Sequence, residues 1–226
     1  MLLEDFLALF YPRVCAACHA SLIKGEDVLC TNCLVELPKT AYHRFNENPV
    51  HGRLAGRLPL QFASAFLKFR KGGLVQSLLH ELKYNNRPEI GVRMGHLYGM
   101  ELTETGMSSE LDVIIPVPLH ASRMRKRGYN QSAKFAEGLS EALNVSWEES
   151  ISLRLEATNT QTRKGRADRW SNVKDAFSVA AIDKVAGKRI LLVDDVITTG
   201  ATLEACGRHL IESGCASLSI ACIAEA

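Results

Sequence analysis

The stretch that decides the fold reads Leu191-Leu-Val-Asp194-Asp195-Val-Ile-Thr198-Thr199-Gly200-Ala201-Thr202-Leu203. The apolar run 190–193 leads directly into two adjacent carboxylates. A continuous apolar run of this length predicts a buried strand, and the residues after Gly200 are typical of a helix. In an open α/β sheet, ligands bind outside the carboxyl ends of the strands. The stretch therefore predicts a strand–turn–helix unit with a ligand site at the turn.

The turn between this strand and this helix suits a phosphate group. A helix N-terminus offers unpaired backbone N–H groups and a partial positive charge, and a glycine lets the backbone approach a ligand closely. The carboxylates just before the turn lie at the distance of a sugar ring, where they can accept hydrogen bonds from hydroxyls or stabilise a positive charge or Mg²⁺. The candidate phosphate ligands are Thr198, Thr199, Gly200, Ala201 and Thr202, and the candidate sugar ligands are Asp194 and Asp195.

Two other interpretations of the stretch explain less. A plain strand–turn–helix with a capping threonine leaves the two adjacent acids unexplained, because they repel each other unless a ligand, metal or cation offsets them. A receiver-type acid pair belongs near the start of its domain, whereas only 31 of the 226 residues follow Asp195. A bound sugar phosphate accounts for the acids and the turn together.

Outward from this stretch, strands and helices alternate along the chain. That alternation predicts an α/β fold, with a mostly parallel sheet flanked by helices. The predicted strands are 62–69, 111–117, 151–155, 190–193 and 216–224. The predicted helices are 74–83, 88–105, 131–143 and 201–213, the last closed by Gly214.

Four of the seven cysteines form a C-x2-C pair, an eleven-residue spacer and a second C-x2-C pair. Each pair can direct two sulfurs to one point, and two pairs complete a tetrahedron around zinc. Four thiolates leave no open coordination position, so such a metal is structural. The predicted ligands are Cys15, Cys18, Cys30 and Cys33, with a turn at Gly25 between the pairs.

Other thiol chemistries compete with zinc at these positions. The run Cys15-Ala-Ala-Cys18-His19 matches a haem attachment pattern, but that reading leaves the second pair unexplained. A redox C-x2-C lacks the preceding strand of a βαβ unit. An iron–sulfur cluster needs the same four thiolates, so the sequence leaves the choice between zinc and another thiolate-bound metal open. The cysteines 206, 215 and 222 are predicted to be small core residues.

Two basic segments accompany the acid pair. Residues 120–131 hold four Lys or Arg side chains and no acid, and they follow a predicted strand, so they suit a pyrophosphate group. Residues 163–169 hold four more and resemble a mobile flap over a reacting site. A solvated basic face or nucleic-acid contact is the alternative for each segment.

Composition and charge set the class of protein. The chain has 46% hydrophobic residues, 23% charged residues and a net charge of +2, which favour a globular protein and leave polyanion binding to local clusters. No run approaches the length that spans a bilayer, and the N-terminus lacks a secretory pattern, so we expect no membrane insertion and a cytoplasmic location. We predict three parts: an apolar helix and four-cysteine module at 1–40, a linker or irregular segment at 41–61, and an α/β domain at 62–226.

The acid-pair stretch resembles the signature of the type I phosphoribosyltransferases, which bind 5-phosphoribosyl 1-pyrophosphate (PRPP) and displace its pyrophosphate. The whole chain resembles the ComF family, through its four cysteines, Val117-Pro-Leu-His120, Arg127-Gly-Tyr-Asn-Gln131 and the acid-pair stretch. This resemblance implies a zinc module on a phosphoribosyltransferase-like domain, and Mg²⁺ bound with PRPP. It further implies a pyrophosphate loop with Pro118, Leu119, His120 and Arg123, and a flexible loop with Arg163, Lys164, Arg166 and Arg169.

Two functions from different classes follow from the resemblance. The first is a phosphoribosyltransferase linked to natural transformation, which transfers the phosphoribosyl group to an unknown acceptor and releases pyrophosphate. In that enzyme Asp194 and Asp195 are the catalytic carboxylates. The second is a non-catalytic adaptor that senses PRPP or binds single-stranded DNA and docks a competence helicase. The sequence specifies neither the acceptor nor the oligomeric state.

Overall fold

The structure is a computed structural model that describes residues 13–154 and 177–226. The predicted N-terminal helix and the predicted flexible loop at 163–169 lie outside the described residues. The described helices are α1 Thr31–Val35, α2 Pro49–Leu54, α3 Leu74–Tyr84, α4 Glu89–Thr103, α5 Ala121–Arg127, α6 Gln131–Leu143 and α7 Ala201–Glu212. The described strands are β1 Phe62–Lys68, β2 Val113–Pro116, β3 Ser152–Arg154, β4 Phe177–Val179, β5 Arg189–Ile197 and β6 Ser217–Glu225.

Four of the strands form a parallel sheet in the order β1-β6-β5-β2. In this register Pro116 of β2 lies opposite Val193, and Val193 lies opposite Ala221 of β6. The carboxyl ends of β2, β5 and β6 therefore meet at one edge of the sheet. The predicted α/β fold with a parallel sheet is confirmed, and β3 and β4 form a separate antiparallel pair.

Strand β5 is an inner strand of the sheet, and both of its faces are buried. Leu191 and Val193 belong to one hydrophobic cluster, whereas Ile190 and Leu192 belong to the other, and all four side chains are fully buried. Alternate side chains of a strand point to opposite faces, so an uninterrupted apolar run requires cover on both sides. Helices provide that cover. The segment is therefore apolar at every position, instead of alternating between apolar and polar residues.

Helices α4 and α6 pack with their backbones almost in contact. A Cβ atom at Gly95 would lie 2.2 Å from the carbonyl oxygen of Phe135, and one at Gly138 would lie 2.0 Å from that of Val92. Glycine is required at both positions because any larger side chain would force the helices apart. This close approach fixes the N-terminal end of α6, which lies beside the acid pair.

The structure corrects three details of the predicted elements. The segment 41–61 contains α2, whose first turn is capped by the Asn48 side chain, and Val50 and Leu54 are buried. Asparagine before proline is a helix start as well as a loop signal, and the loop interpretation was wrong here. The basic segment after β2 contains α5, and β5 continues to Ile197, so the acid pair lies within the strand.

The cysteine module shares its core with the rest of the described chain. Its residues Val28, Leu29 and Leu37 belong to the same hydrophobic cluster as Phe66 of β1. Arg87 also donates a hydrogen bond to the carbonyl oxygen of Val14 at 3.2 Å.

None of the described helices is long and apolar enough to cross a membrane.

The glycine contacts between α4 and α6 give a stability test. We expect Gly138→Ala to lower the free energy of unfolding by about 3 kcal/mol, because the added methyl group meets backbone that cannot move independently. Gly52→Ala in α2 is the matched control, since a Cβ there meets nothing within 4 Å. That variant should be unchanged or more stable by about 0.5 kcal/mol. Urea denaturation measures both, and equal effects would contradict the close packing.

Candidate functional site

The turn after β5 is open to a ligand. Thr198 and Thr199 are exposed, and Gly200 has a φ of 78° and serves as the N-cap of α7. Gly200 has no side chain that could cap α7, and the backbone N–H of Ala201 donates to the Thr199 hydroxyl at 3.4 Å. Leu54 contacts the buried face of the turn, where a Cβ at Gly200 would lie 2.7 Å from its Cδ2. The exposed face of the turn presents backbone N–H groups, which can bind an anion.

The acid pair lies beside this turn, with different partners for its two carboxylates. Asp194 Oδ1 accepts hydrogen bonds from the Ser132 hydroxyl and from the backbone N–H of Asp195, both at 2.8 Å. Asp195 Oδ2 lies 2.9 Å from Lys83 Nζ. Alternation along the strand separates the two side chains, and each is only partly accessible to solvent.

Burial dominates the electrostatics of Asp194. Burial and then the negative charge of Asp195 raise the pKa of Asp194 to about 7, against the hydrogen bond from Ser132 and the charge of Lys83. A carboxyl with this pKa is readily neutralised, whereas Asp195 has a cation in direct contact. The site thus holds two carboxyl groups in unequal environments, which is a common property of functional sites.

Lys83 is a residue of this site that sequence analysis missed. It lies in the last turn of α3, and its ammonium is the cation nearest to Asp195 among the ion pairs of the described residues. The sequence contains no pattern that links a lysine at a helix end to an acid pair more than a hundred residues later. Only the packing of α3 against the sheet brings the two together.

Arg154 is a second cation that the sequence did not reveal. It ends β3, and its guanidinium lies 5.2 Å from the centre of the Phe177 ring. Burial and then the positive charge of Arg123 lower the pKa of Arg154, while the charge of Asp194 opposes that shift. The antiparallel pair of β3 and β4 therefore brings a guanidinium toward the acid pair and toward α5.

The predicted pyrophosphate loop begins beside the acid pair. The backbone N–H of Val117 donates to the Val193 carbonyl at 2.8 Å, so the chain leaves the sheet next to Asp194. Pro118 is buried, and Leu119 and His120 are partly accessible. The His120 side chain accepts the backbone N–H of Ser122 at 3.2 Å and caps α5.

The remaining predicted residue of this loop, Arg123, lies in α5 and is exposed. The expectation of an irregular basic loop is corrected to a short helix, and histidine is too rare as a cap to have indicated its start. The structure thus brings Pro118, Leu119 and His120 to the sheet edge that carries the acid pair.

Asn130 connects the segment after β2 to the start of α6 by hydrogen bonds. Its Nδ2 donates to the Val117 carbonyl at 3.0 Å, and its Oδ1 accepts the backbone N–H of Ser132 at 3.1 Å. The side chain is 3% exposed, so these bonds are not shared with bulk water. Ser132, which contacts Asp194, is therefore held at a defined helix position.

The four N-terminal cysteines form a separate candidate metal centre. Their sulfur atoms all lie within 4.8 Å of one another, and the Sγ atoms of Cys18 and Cys30 are 3.7 Å apart. Zinc–sulfur bonds of about 2.3 Å in a tetrahedron require sulfur separations of about 3.8 Å. The arrangement can hold one metal ion with sulfur ligands.

The electrostatics of the cysteines suit a bound cation. Burial raises the pKa of Cys15, but hydrogen bonds from the backbone of Cys18, Cys30 and Ala17 outweigh burial and bring it down to about 6. Burial and the neighbouring thiols raise the pKa of Cys33. Crowded thiolates repel one another, and a divalent cation removes that repulsion.

Comparison with known proteins agrees with this geometry. Residues 105–226 match the model of the phosphoribosyl transferase domain. The chain is 30% identical over 220 residues to the DNA utilization protein YhgH of Escherichia coli K12, covering 96% of this chain and 92% of that protein. It is 28% identical over 226 residues to Competence protein F of Haemophilus influenzae, covering 96% and 99% of the two chains.

One solved structure was also matched over part of the chain. The glutamine PRPP amidotransferase of B. subtilis, complexed with ADP and GMP, is 22% identical, with a TM-score of 0.43. The match covers 64% of this chain and 30% of that chain.

The raised pKa of Asp194 predicts a pH-dependent stability. Between about pH 4 and pH 7 the folded state binds more protons than the unfolded state, so this group lowers the free energy of unfolding as the pH rises. Asp194→Asn removes that loss. We expect the variant to exceed the wild type by roughly 2 kcal/mol near pH 8 and to match it near pH 4.

Urea titrations across this pH range measure the difference. Asp112→Asn is a control of opposite sign, because hydrogen bonds from Arg189 lower the pKa of Asp112 to about 2. That variant should lose stability wherever wild-type Asp112 is ionised. A constant difference between Asp194→Asn and the wild type at every pH would show that Asp194 is not protonated.

The cysteine cluster predicts one zinc ion per chain in metal analysis of the purified protein. Cys18→Ser should lower the zinc content and the melting temperature by several degrees, because Cys18 is exposed and its main contact is the cluster. Cys215→Ser is the control and should retain both. Equal zinc content in the two variants would contradict the assignment.

Proposed function

Because the chain belongs to the ComF family of phosphoribosyl transferase domain proteins, we propose that it binds Mg²⁺–PRPP and transfers the phosphoribosyl group to an acceptor with release of pyrophosphate. The observation that supports this most directly is an acid pair at the carboxyl edge of a parallel sheet beside an open helix N-terminus. Helix N-termini bind phosphate groups, and carboxylates bind sugar hydroxyls.

In this proposal the 5′-phosphate binds the turn 198–202, and Asp194 and Asp195 receive the ribose hydroxyls. Lys83 pairs with Asp195 and orients its carboxyl group before the substrate arrives. Ser132 orients Asp194 by donating to Oδ1, which leaves Oδ2 for a ribose hydroxyl. Both contacts arrange the acceptors in advance, so little reorganisation is needed on binding.

The pyrophosphate lies at the residues 118–120, with Arg123 and Arg154 as further cations; the family resemblance adds the basic residues 163–169, which lie outside the described residues. Mg²⁺ would arrive with PRPP and neutralise charge on the leaving pyrophosphate. As the bond to pyrophosphate lengthens, positive charge develops on the ribose ring, and the carboxylates of the acid pair stabilise it. Catalysis is thus mainly electrostatic.

The names of the relatives support a proposal for the cellular role of the protein. Relatives carry the names DNA utilization protein and Competence protein F. We accordingly infer a role in natural transformation, on the cytoplasmic side, where thiols of the zinc module stay reduced. A competence helicase remains the predicted protein partner.

A second candidate, a single-stranded DNA adaptor, is favoured by the surface of α5. Arg123, Arg125 and Lys126 are exposed on this helix, which contains no acid. Tyr84 is 59% exposed, and the guanidinium of Arg127 lies 5.5 Å from the centre of its ring. An exposed aromatic ring beside cations suits a nucleic-acid strand.

Calorimetry with Mg²⁺–PRPP tests the main proposal. We expect Asp195→Asn and Asp194→Asn to weaken binding by about ten- to a hundredfold, since each loses a charged acceptor for a hydroxyl. Asp183→Asn, at an exposed position outside the site, should bind like the wild type. Pyrophosphate release in the presence of an acceptor would establish turnover.

The salt dependence of DNA binding, measured together with PRPP binding, distinguishes the two candidate functions. DNA binding that falls steeply with salt and is lost in Arg125→Ala/Arg127→Ala, with no PRPP binding by the wild type, would replace the enzyme with the adaptor. PRPP binding that survives Asp195→Asn would contradict the assigned sugar site.

A further inference from the structure

The segment 41–61, predicted as a linker, lies against the turn that follows β5. It reaches the turn through Arg53, at the end of α2, and Arg57, one turn further along. Arg53 Nη1 donates to the Thr198 carbonyl at 2.9 Å, and Arg57 Nη1 donates to the Thr199 carbonyl at 2.8 Å. Two guanidinium groups thus hold two consecutive carbonyl groups of the same turn.

Those two contacts orient the amide groups of the turn. In a trans peptide the C=O of one residue and the N–H of the next point in opposite directions, and none of the described peptides is cis. Fixing the Thr198 carbonyl toward Arg53 directs the N–H of Thr199 away from α2. Fixing the Thr199 carbonyl toward Arg57 does the same for the N–H of Gly200, so both amides face the open side of the turn.

Each arginine is itself anchored by a carboxylate. Arg53 Nη2 donates to Glu225, which is 1% exposed and also bonds to Lys68. Arg57 contacts Glu204 Oε2 through Nε at 2.8 Å and Nη2 at 2.5 Å, while Arg208 contacts the other oxygen of Glu204. A guanidinium with a fork of donors can serve a carboxylate and a carbonyl together, which an ammonium does less well.

The charge on Glu204 makes Arg57 important for anion binding. Glu204 lies in the first turn of α7, close to where a phosphate would bind, and an ionised carboxylate there repels an anion. Burial raises the pKa of Glu204, but hydrogen bonds from Arg57 and Arg208 outweigh it and keep that pKa low. The paired cations cancel a negative charge that would otherwise oppose the ligand.

We propose that Arg53 and Arg57 are positioning residues that hold the turn 198–200 with its amide groups directed at the 5′-phosphate of a phosphoribosyl ligand. Neither arginine contacts the ligand in this proposal; both act through the carbonyl groups behind the turn. The inference rests on the proposed function, because it assumes that the turn binds a sugar phosphate. It assigns the segment 41–61 to the binding site.

The chain offers a matched control for each arginine. Arg53→Met and Lys68→Met each remove one of the two cations on Glu225, but only Arg53 contacts the turn. Arg57→Met and Arg208→Met each remove one of the two cations on Glu204, but only Arg57 contacts the turn. A difference within either pair therefore reports the carbonyl contacts of the arginine and not the loss of an ion pair; besides the turn, these contacts include the Ala226 carbonyl for Arg53 and the Arg53 carbonyl for Arg57.

Calorimetry with ribose 5-phosphate, Mg²⁺–pyrophosphate and Mg²⁺–PRPP distinguishes the two halves of the site. Arg53→Met and Arg57→Met should each bind ribose 5-phosphate and PRPP about tenfold more weakly, which is the loss of about one hydrogen bond. Their affinity for pyrophosphate should stay within twofold of the wild type. Lys68→Met should bind all three ligands like the wild type, and Arg208→Met should weaken ribose 5-phosphate binding less than Arg57→Met does, because it removes a cation from Glu204 but no contact with the turn.

A purely structural role would not separate the ligands in this way. Arg57→Lys keeps a cation beside Glu204 and one donor, so its affinity for ribose 5-phosphate should lie between those of Arg57→Met and the wild type. It is also the second variant if Arg57→Met does not fold. Wild-type affinity for ribose 5-phosphate in the arginine variants, or equal weakening of pyrophosphate, would overturn the inference. If the wild type binds neither ribose 5-phosphate nor PRPP, the proposed function fails, and this inference fails with it.

Discussion

The repulsion between two neighbouring carboxylates on a buried strand is the constraint that organises this molecule. Strand β5 places Asp194 and Asp195 at the edge of a fully covered sheet, where water screens their charges poorly. Three other elements answer that cost: α3 contributes Lys83, α6 contributes the hydroxyl of Ser132, and β3 brings Arg154 near. The candidate site is thus built around the repulsion between two carboxylates, which the hydroxyl groups of a bound sugar would also reduce by donating hydrogen bonds.

Charges are also paired around the turn after β5. Its open face offers amide groups, while its rear face is held by side chains of a segment that precedes the sheet in sequence. The carboxylates of Glu204 and Glu225 that anchor those side chains are each paired with two cations. Negative charge near the turn is therefore neutralised at the rear, and the front stays attractive to an anion.

Local patterns predicted most of the fold and those parts of the candidate site that consecutive residues form. The apolar run before Asp194, the glycine at 200 and the cysteine spacing are features of consecutive residues, so the sequence shows them directly. Lys83, Arg154, Arg53 and Arg57 belong to the site only through tertiary packing, and nothing near them in the sequence distinguishes them from surface cations. The helix at Ala121 was missed because a histidine caps it, and α2 was missed because asparagine, proline and glycine also mark loops.

The glycine contacts between α4 and α6 have a mechanical consequence. Two helices separated by side chains can slide by repacking them, but backbones in direct contact have nothing to repack. These helices must consequently travel as one rigid body, and Ser132 with them. Any movement around a bound molecule therefore falls to elements outside this contact, such as α5 and the β3–β4 pair, so the acidic side of the candidate site is expected to be its rigid side.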